Sequence, residues 1–248
     1  MSLFHFLASK ESITSSGLLN GTMDIHNHIL PGVDDGVCNY DKAVQTLSWF
    51  YSNGVRRIYL TPHVMSDFSK NTAGYLSGQF DLLVSRLASD GITNIPEIKL
   101  AAEYMLEAAF RKYKEDKLLT YANRHILVET SYISPPLGFM SILENLFESG
   151  YTPVLAHPER YHYMDMNEYT HLKSLGIRFQ LNYISMVGAY GAMVMKKAVQ
   201  LLMEGFYDFT GSDIHHMSRQ KDIYQVKKLT DKHIPLLCTL FHNNQQLW

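Results

Sequence analysis

The chain has 248 residues, a formal net charge of -2 at pH 7, and is 46% hydrophobic and 19% charged. That length suits one α/β barrel as well as two small domains, with a single domain favoured, and the near-neutral balance gives no general attraction to nucleic acid or to an anionic membrane surface. Two cysteines, Cys38 and Cys238, far apart and without a C-x-x-C pair, exclude a disulfide framework and a structural zinc knuckle.

Residues 1 to 21 have weak periodicity and are expected to form an N-terminal extension, followed by one domain over 22–248. The opening MSLFHFLASK lacks the long apolar stretch of a signal peptide, and MVGAYGAMVM is too short to span a bilayer. A soluble, cytoplasmic protein without membrane insertion is therefore expected. A first strand around Met23 to Ile25 leads into MDIHNHILPGVDDG, and DKAVQTLSWFYSN places Ala43, Val44, Leu47, Phe50 and Tyr51 on one helical stripe.

From there an amphipathic stretch repeatedly ends in a small or polar residue plus glycine and gives way to a short β-rich run. The instances are SNG54 into VRRIYLTPH, SDG91 into ITNIPEIKLAAEY, ESG150 into YTPVLAHPER, SLG176 into IRFQLNYIS and MEG205 into FYDFTGSDIHH. Glycine after a helix supplies the left-handed position without steric cost, and near-continuous apolar runs fit strands buried on both faces. With a further strand around Ile126 to Glu129, and helices in FDLLVSRLASD and FMSILENLFES, the pattern predicts about seven strands alternating with helices in a parallel α/β barrel.

The chemistry-bearing residues lie where these strands end: His26 and His28, His63, Glu103, Glu129, His157, and Asp213 with His215. Each has an ordinary explanation when taken alone. H-x-H is common by chance, Asp34 and Asp35 in PGVDDG suit a turn, His63 can be a satisfied strand-end histidine, and Glu103 can pair with an arginine. Independent structural histidines have no reason to choose one rim of a barrel, however, so the joint pattern predicts a metal site. Imidazole and carboxylate donors without thiolates suit Mn, Fe or Zn, and their number implies several ions, with Asp35 favoured over Asp34 as the loop ligand.

Arg160 in AHPERY and Arg219 in SDIHHMSRQ follow ligand candidates closely. A guanidinium beside a cationic centre is repelled unless an anion lies between them, which points to a phosphate or carboxylate substrate. A surface salt bridge is the simpler account of Arg219. The tyrosines are read chiefly as core and surface filler, with Tyr104 and Tyr161, next to site candidates, the two with a place at the mouth, and His216 beside the ligand set. The remaining histidines, His5, His125, His162, His171, His233 and His242, are assigned to packing or surface.

Taken together, MDIHNHILPGVDDG, LTPHVMSDF, AAEYML, LVETSYISPP, VLAHPERY and GSDIHHM resemble the bacterial polysaccharide-biosynthesis tyrosine phosphatases of the PHP (polymerase and histidinol phosphatase) superfamily, from about Met23 to Met217. The resemblance implies a distorted (β/α)7 TIM-like barrel of the PHP type and a site for three ions that favours Mn2+, with Fe or Zn possible in its place. It also implies hydrolysis of phosphotyrosine on the tyrosine-rich tail of an autokinase controlling capsule or exopolysaccharide export. By position the family's ligands fall on His26, His28, Asp35, His63, Glu103, His157, Asp213 and His215, with Glu129 where superfamily members carry another. Its phosphate-binding arginine matches Arg160, and a second arginine has an approximate counterpart in Arg219. PHVMSDF departs from the basic loop that some relatives carry after the second strand.

Neither cysteine is followed six positions later by arginine, since Val44 and Asn244 stand there, so a C-x5-R thiolate phosphatase is excluded. A metal-activated hydroxide is then the expected nucleophile, with Arg160, and in part Arg219 and His215, as catalytic groups. The alternatives are a small-molecule phosphomonoesterase of the histidinol-phosphate type and a non-catalytic metal-binding partner of the kinase. A nuclease is disfavoured by the lack of a basic, aromatic-interleaved stripe.

Overall fold

The computed structural model of the protein describes residues 11–108, 110 and 117–248. Within these, the strands are β1 (Met23–Asp24), β2 (Arg57–Leu60), β3 (His63–Val64), β4 (Glu97–Leu100), β5 (Glu103–Met105), β6 (His125–Glu129), β7 (Thr152–Ala156), β8 (Arg178–Asn182) and β9 (Phe209–Gly211). They form two sheets, ordered β1-β2-β4 and β3-β5-β6-β7-β8-β9, and every pairing is parallel.

The α/β alternation expected from the glycine punctuation is present. Gly54, Gly91, Gly150, Gly176 and Gly205 all have positive φ, between 66° and 101°, which a side chain would resist. The helices that precede them are α1 (Tyr40–Ser52), α2 (Ala73–Ser89), α3 (Phe139–Glu148), α4 (Met166–Ser174) and α5 (Ala192–Met203), followed later by α6 (Met217–Gln225) and α7 (Ile234–Asn243). Helix α1 buries Ala43, Thr46, Leu47 and Phe50, so its inner stripe lies as predicted, with Val44 and Tyr51 at the edge. Asn39 starts it by accepting from Lys42 N, and the Asp165–Glu168 capping box does the same for α4.

Two of the expected strands are interrupted. Thr61 and Pro62 separate β2 from β3, and Ala101 and Ala102 separate β4 from β5, so each run passes from the smaller sheet to the larger. Pro62 has no N–H to give a ladder, and Thr61 turns inward, exchanging hydrogen bonds with the Asn27 backbone. Beyond β1 and β9 the chain continues in register through a parallel bridge between Asn27 and Ile214, with Asp213 N donating to His26 O at 2.8 Å and His28 N to Ile214 O at 2.9 Å. These bonds bring the first and last site segments together.

The first ten residues of the expected extension lie outside the described residues. Its remainder is packed: Ile13, Leu18 and Leu19 are buried, and Ser12 bridges Lys228. No helix among the described residues is long and apolar enough to cross a membrane.

Gly211 shows how tightly β9 meets the histidine segment, since a Cβ built there would lie 2.6 Å from His26 Cβ and 3.1 Å from His26 N. Gly211→Ala should therefore cost about 1–3 kcal/mol by overpacking and lower the melting temperature by roughly 2–4 °C for each kcal/mol. Thermal unfolding followed by circular dichroism measures this, and a variant melting within a degree of wild type would show that the strands can separate freely.

Candidate metal centre

His26 and His28 follow β1 with one residue between them, and both side chains project to the same side while Asn27 turns away to Asp24 and Tyr59 O. Their Nε2 atoms approach the same oxygen, Glu103 Oε2, at 3.1 and 3.3 Å, and Asp213 Oδ1 at 3.5 and 3.4 Å. Glu103 reaches this point because β3 and β5 pair it opposite His63, whose Nδ1 lies 3.3 Å from Glu103 Oε2 and 3.1 Å from Glu129 Oε1. His157 faces the other Glu103 oxygen, with Nε2 at 3.2 Å from Oε1.

Three groups of donors result, with ligand atoms lying within 4.8 Å of one another: His26, His28, Glu103 and Asp213; His63, Glu103 and Glu129; and His28, Asp35, His63 and His215. His157 stands beside the second group, 3.8 Å from Glu129 Oε2. Eight of the nine sequence-predicted ligands thus fall into these groups, and the ninth touches them.

The donors are aimed by neighbours. His26 Nδ1 meets Gln180 Oε1 at 2.8 Å, and His28 Nδ1 meets Asp34 Oδ2 at 2.9 Å, so each ring has its Nδ1 hydrogen engaged and its Nε2 lone pair turned inward. Consequently His26 Nε2, His28 Nε2, His63 Nδ1, Glu103 Oε2 and Glu129 Oε1 are buried without a hydrogen-bond partner. Imidazole nitrogens crowded against carboxylate oxygens without a hydrogen-bond partner mark a position for positive charge, and burial of so many such atoms costs too much to be a packing accident.

The two aspartates of PGVDDG have different jobs. Asp34 is saturated by His28 Nδ1, His63 N and Gly36 N, which hold its carboxyl down at about 2 despite burial. Asp35, with its side chain 61% exposed, turns Oδ1 toward His63 Nε2 and His215 Nε2 at 3.6 and 3.5 Å. Gly36 is required beside them because a Cβ there would lie 2.1 Å from His28 O.

Charge is concentrated here. Burial opposes ionisation of Glu103 and Asp213, yet the surrounding histidines, and for Asp213 also Arg160, hold both carboxyls well below the usual range. Burial likewise opposes charge on His26, but Glu103 and Asp213 push it up to about 9. His215 is pushed down to about 4 by burial and by the charge of His28. His157 and Asp213 have positive φ, 35° and 51°, so two strand ends are held in a conformation that costs a side chain about 1–3 kcal/mol.

Arg160 sits on the short turn Pro158–Arg160 after β7 and donates to Asp213 Oδ2 at 2.8 Å. Its guanidinium carbon is 4.3 Å from the ring centres of both Tyr132 and Tyr190. A cleft of about 280 Å3 lined by Arg160, Tyr190, Asp213, His215, His216, Arg219 and Gln220 opens beside the donors, so both predicted arginines reach one place. Tyr104 and Tyr161, expected at the mouth, are instead 2% and 0% exposed. Tyr104 accepts from Leu119 N, and Tyr161 donates to Ala156 O. Strand β5 and the turn after β7 point these rings into the core, and Tyr132 and Tyr190 take the place assigned to them. In PHVMSDF, Phe68 stacks on His63 with ring centres 6.0 Å apart.

Gln180 and Asn182 escaped sequence reasoning, although polar residues at i and i+2 in the otherwise apolar run RFQLN mark one inward-facing side of a buried strand. Asp34, Tyr132 and Tyr190 had no comparable signal, because turn aspartates and scattered tyrosines are common.

The chain is 27% identical over 228 residues to the tyrosine-protein phosphatase YwqE of Bacillus subtilis (strain 168), covering 88% of each protein. It is 27% identical over 212 residues to the tyrosine-protein phosphatase CpsB of Streptococcus pneumoniae, covering 82% of this chain and 86% of the relative. Its fold matches a crystal structure from work on YwqE and CpsB, described as unique metal-dependent tyrosine phosphatases, with a TM-score of 0.77 at 23% identity over 91% and 93% of the two chains. The phosphotriesterase homology protein of Escherichia coli matches more distantly, with a TM-score of 0.52 at 14% identity over 92% and 98%. The family described as capsular polysaccharide synthesis, CpsB/CapC, matches residues 22–246, nearly the whole chain, and the protein belongs to that family.

Proposed function

We propose that the protein is a metal-dependent protein-tyrosine phosphatase of capsule or exopolysaccharide biosynthesis, and that its substrate is a phosphotyrosine-bearing protein, the tyrosine-rich tail of a polysaccharide-export autokinase. The observation that carries this is a cleft holding Arg160 and Arg219 directly against buried, cation-demanding donors. The names of the relatives supply the reaction class, and the exposure of Asp35 at the rim favours a polymer side chain over a metabolite enclosed in a pocket.

The scaffold is read as a distorted (β/α)7 barrel, in which β2 with β3 and β4 with β5 are single bent strands and the Asn27–Ile214 bridge completes the ring. Residues 22–248 form its domain and 1–21 the extension. The free, exposed Cys38 and Cys238 support a reducing cytoplasmic setting.

The donor set fits divalent ions of the Mn, Fe or Zn type, with Mn2+ preferred, and three donor groups support three ions. His26, His28, Glu103 and Asp213 would hold one. His63, Glu103 and Glu129, with His157 alongside, would hold another, making Glu103 the shared bridge, and Asp35, His63 and His215 would serve the third, outermost position. When bound, such ions supply Lewis acidity toward phosphoryl oxygens and a water acidified to near neutral pH.

The chain's own residues do the rest. Arg160 keeps one N–H on Asp213 and offers its remaining donors to the phosphoryl oxygens, where charge spreads in a loose transition state. The two tyrosine rings restrict its motion, and Arg219 brings a second positive charge to the outer side of the cleft. A phenolate leaving group, of parent pKa about 10, leaves with little protonation.

Phosphate release from a phosphotyrosine peptide with added manganese is expected from the wild type, falling about 100-fold or more in Arg160→Ala and in His157→Ala. Efficient hydrolysis of histidinol phosphate with none of the peptide would overturn the tyrosine phosphatase assignment. Metal is also expected to stabilise the fold: at 100 times its Kd, manganese should add about 2.7 kcal/mol to the chelator-treated protein, and Glu103→Ala should abolish most of that gain. Melting curves with and without manganese measure both. Asp34→Ala should reduce the gain by misorienting His28, whereas Asp35→Ala should leave the inner ions bound and lower only the total metal content measured by emission spectrometry.

A further inference from the structure

Strand β8 is the exception at the site. Every other strand run that reaches the centre contributes a histidine or an acid, but β8 contributes two amides, Gln180 and Asn182, both fully buried. Buried primary amides in a strand are costly unless each polar atom is matched, and here nearly all of them are.

Gln180 Nε2 donates to Leu181 O at 2.6 Å and to Asn182 Oδ1 at 3.0 Å, while its Oε1 faces His26 Nδ1 at 2.8 Å. Asn182 Nδ2 donates to Asp213 Oδ2 at 2.8 Å, the oxygen that also accepts from Arg160, and Asn182 N donates to Glu159 Oε1 on the turn that carries Arg160. The polarity of this series has one origin. A backbone carbonyl only accepts, so Leu181 O fixes which end of the Gln180 amide faces it. Gln180 Oε1 must then face His26, Nδ1 of that ring must carry a hydrogen, and Nε2 is the nitrogen left to give its lone pair to a cation beside Glu103. By the same logic Asn182 Oδ1 is taken by Gln180, and its NH2 must point to Asp213, leaving Asp213 Oδ1 for the histidines.

We propose that Gln180 and Asn182 are positioning residues, an amide relay that presets the tautomer of His26, the rotation of Asp213 and the placement of Arg160. The proposal rests on the metal-centre assignment above. It makes β8 the link between the inner metal position and the phosphate-binding arginine, although neither amide touches metal or substrate. Outer partners of this kind typically change metal affinity by roughly 10–100-fold when removed.

Manganese binding to chelator-treated protein, followed by isothermal titration calorimetry, separates a relay from simple packing through two substitutions at one position. Gln180→Leu keeps the volume and removes every hydrogen bond. Gln180→Glu keeps an acceptor for His26 Nδ1, and in its protonated form also a donor for Leu181 O. If the relay operates, Gln180→Leu weakens manganese binding roughly 10–100-fold, while Gln180→Glu stays within about threefold of wild type. If Gln180 serves only packing, the order reverses, since leucine suits a buried strand and a carboxyl group does not. Asn182→Leu provides an independent arm should Gln180→Leu fail to fold, with the same 10–100-fold weakening expected. Manganese affinity within twofold of wild type in the folded leucine variant, or an equal loss in Gln180→Glu, overturns the relay. A wild-type chain that takes up neither manganese nor zinc overturns the metal-centre assignment itself, a separate and recognisable result.

Discussion

Glu103 is a fully buried carboxylate facing four imidazoles at 3.1–3.3 Å, from His26, His28, His63 and His157. Such an arrangement is unfavourable for a neutral core, because lone pairs confront one another at low dielectric, and it is tolerable only when positive charge enters between them. In the protein alone that charge comes as protons, which is why His26 is pushed up to about 9 against the effect of its burial. The demand for a cation is therefore built into the chain. Much of the surrounding structure, including Asp34, Gln180, Asn182 and the tyrosine pair around Arg160, holds these groups where relaxation would otherwise separate them.

The cost of that arrangement is met by the scaffold. Apart from Asp35, the candidate donors come from a strand or from the residues just past its end, so their positions are set by parallel ladders and not by a free loop. The ladders also hold strained backbone at His157 and Asp213 and force a close approach that only glycine permits at Gly211, while Gly36 allows the same in the loop that carries Asp34 and Asp35. An isolated loop would relax out of the first three; a strand end packed against neighbours on both sides cannot.

This explains what was legible in the sequence. The periodic helices, the glycines after them and the apolar runs report short-range physics, and each reappears close to where it was expected, down to the positive φ of Gly150 and Gly176. The convergence of the candidate donors was legible because one strand after another ends in a histidine or acid, and a parallel α/β arrangement brings such ends together. The breaks at Thr61–Pro62 and Ala101–Ala102 were not, since they depend on how the two sheets turn relative to each other. The orienting residues were also hidden. Whether an aspartate binds a cation or orients a histidine is decided by which donors surround it, and Asp34 and Asp35, adjacent in sequence, differ only in that respect. Tyr104 lies beside Glu103 but faces the core because neighbours on a strand point to opposite sides, and Tyr161, just past the short turn after β7, is held inward by its hydrogen bond to Ala156 O.

Asp213 gives the site its internal logic. One oxygen faces His26 and His28, and the other gathers Arg160, Asn182 and Tyr190. The two oxygens share one charge, so the groups that face the inner oxygen and the groups that hold Arg160 are coupled through Asp213. The aromatic faces of Tyr132 and Tyr190 then matter for a physical reason: they hold the guanidinium in the cleft by cation–π attraction while Asp213 keeps one of its N–H groups, instead of letting it swing into water. The buried donor cluster and the arginine cleft are in this way joined by one carboxylate divided between two sets of partners.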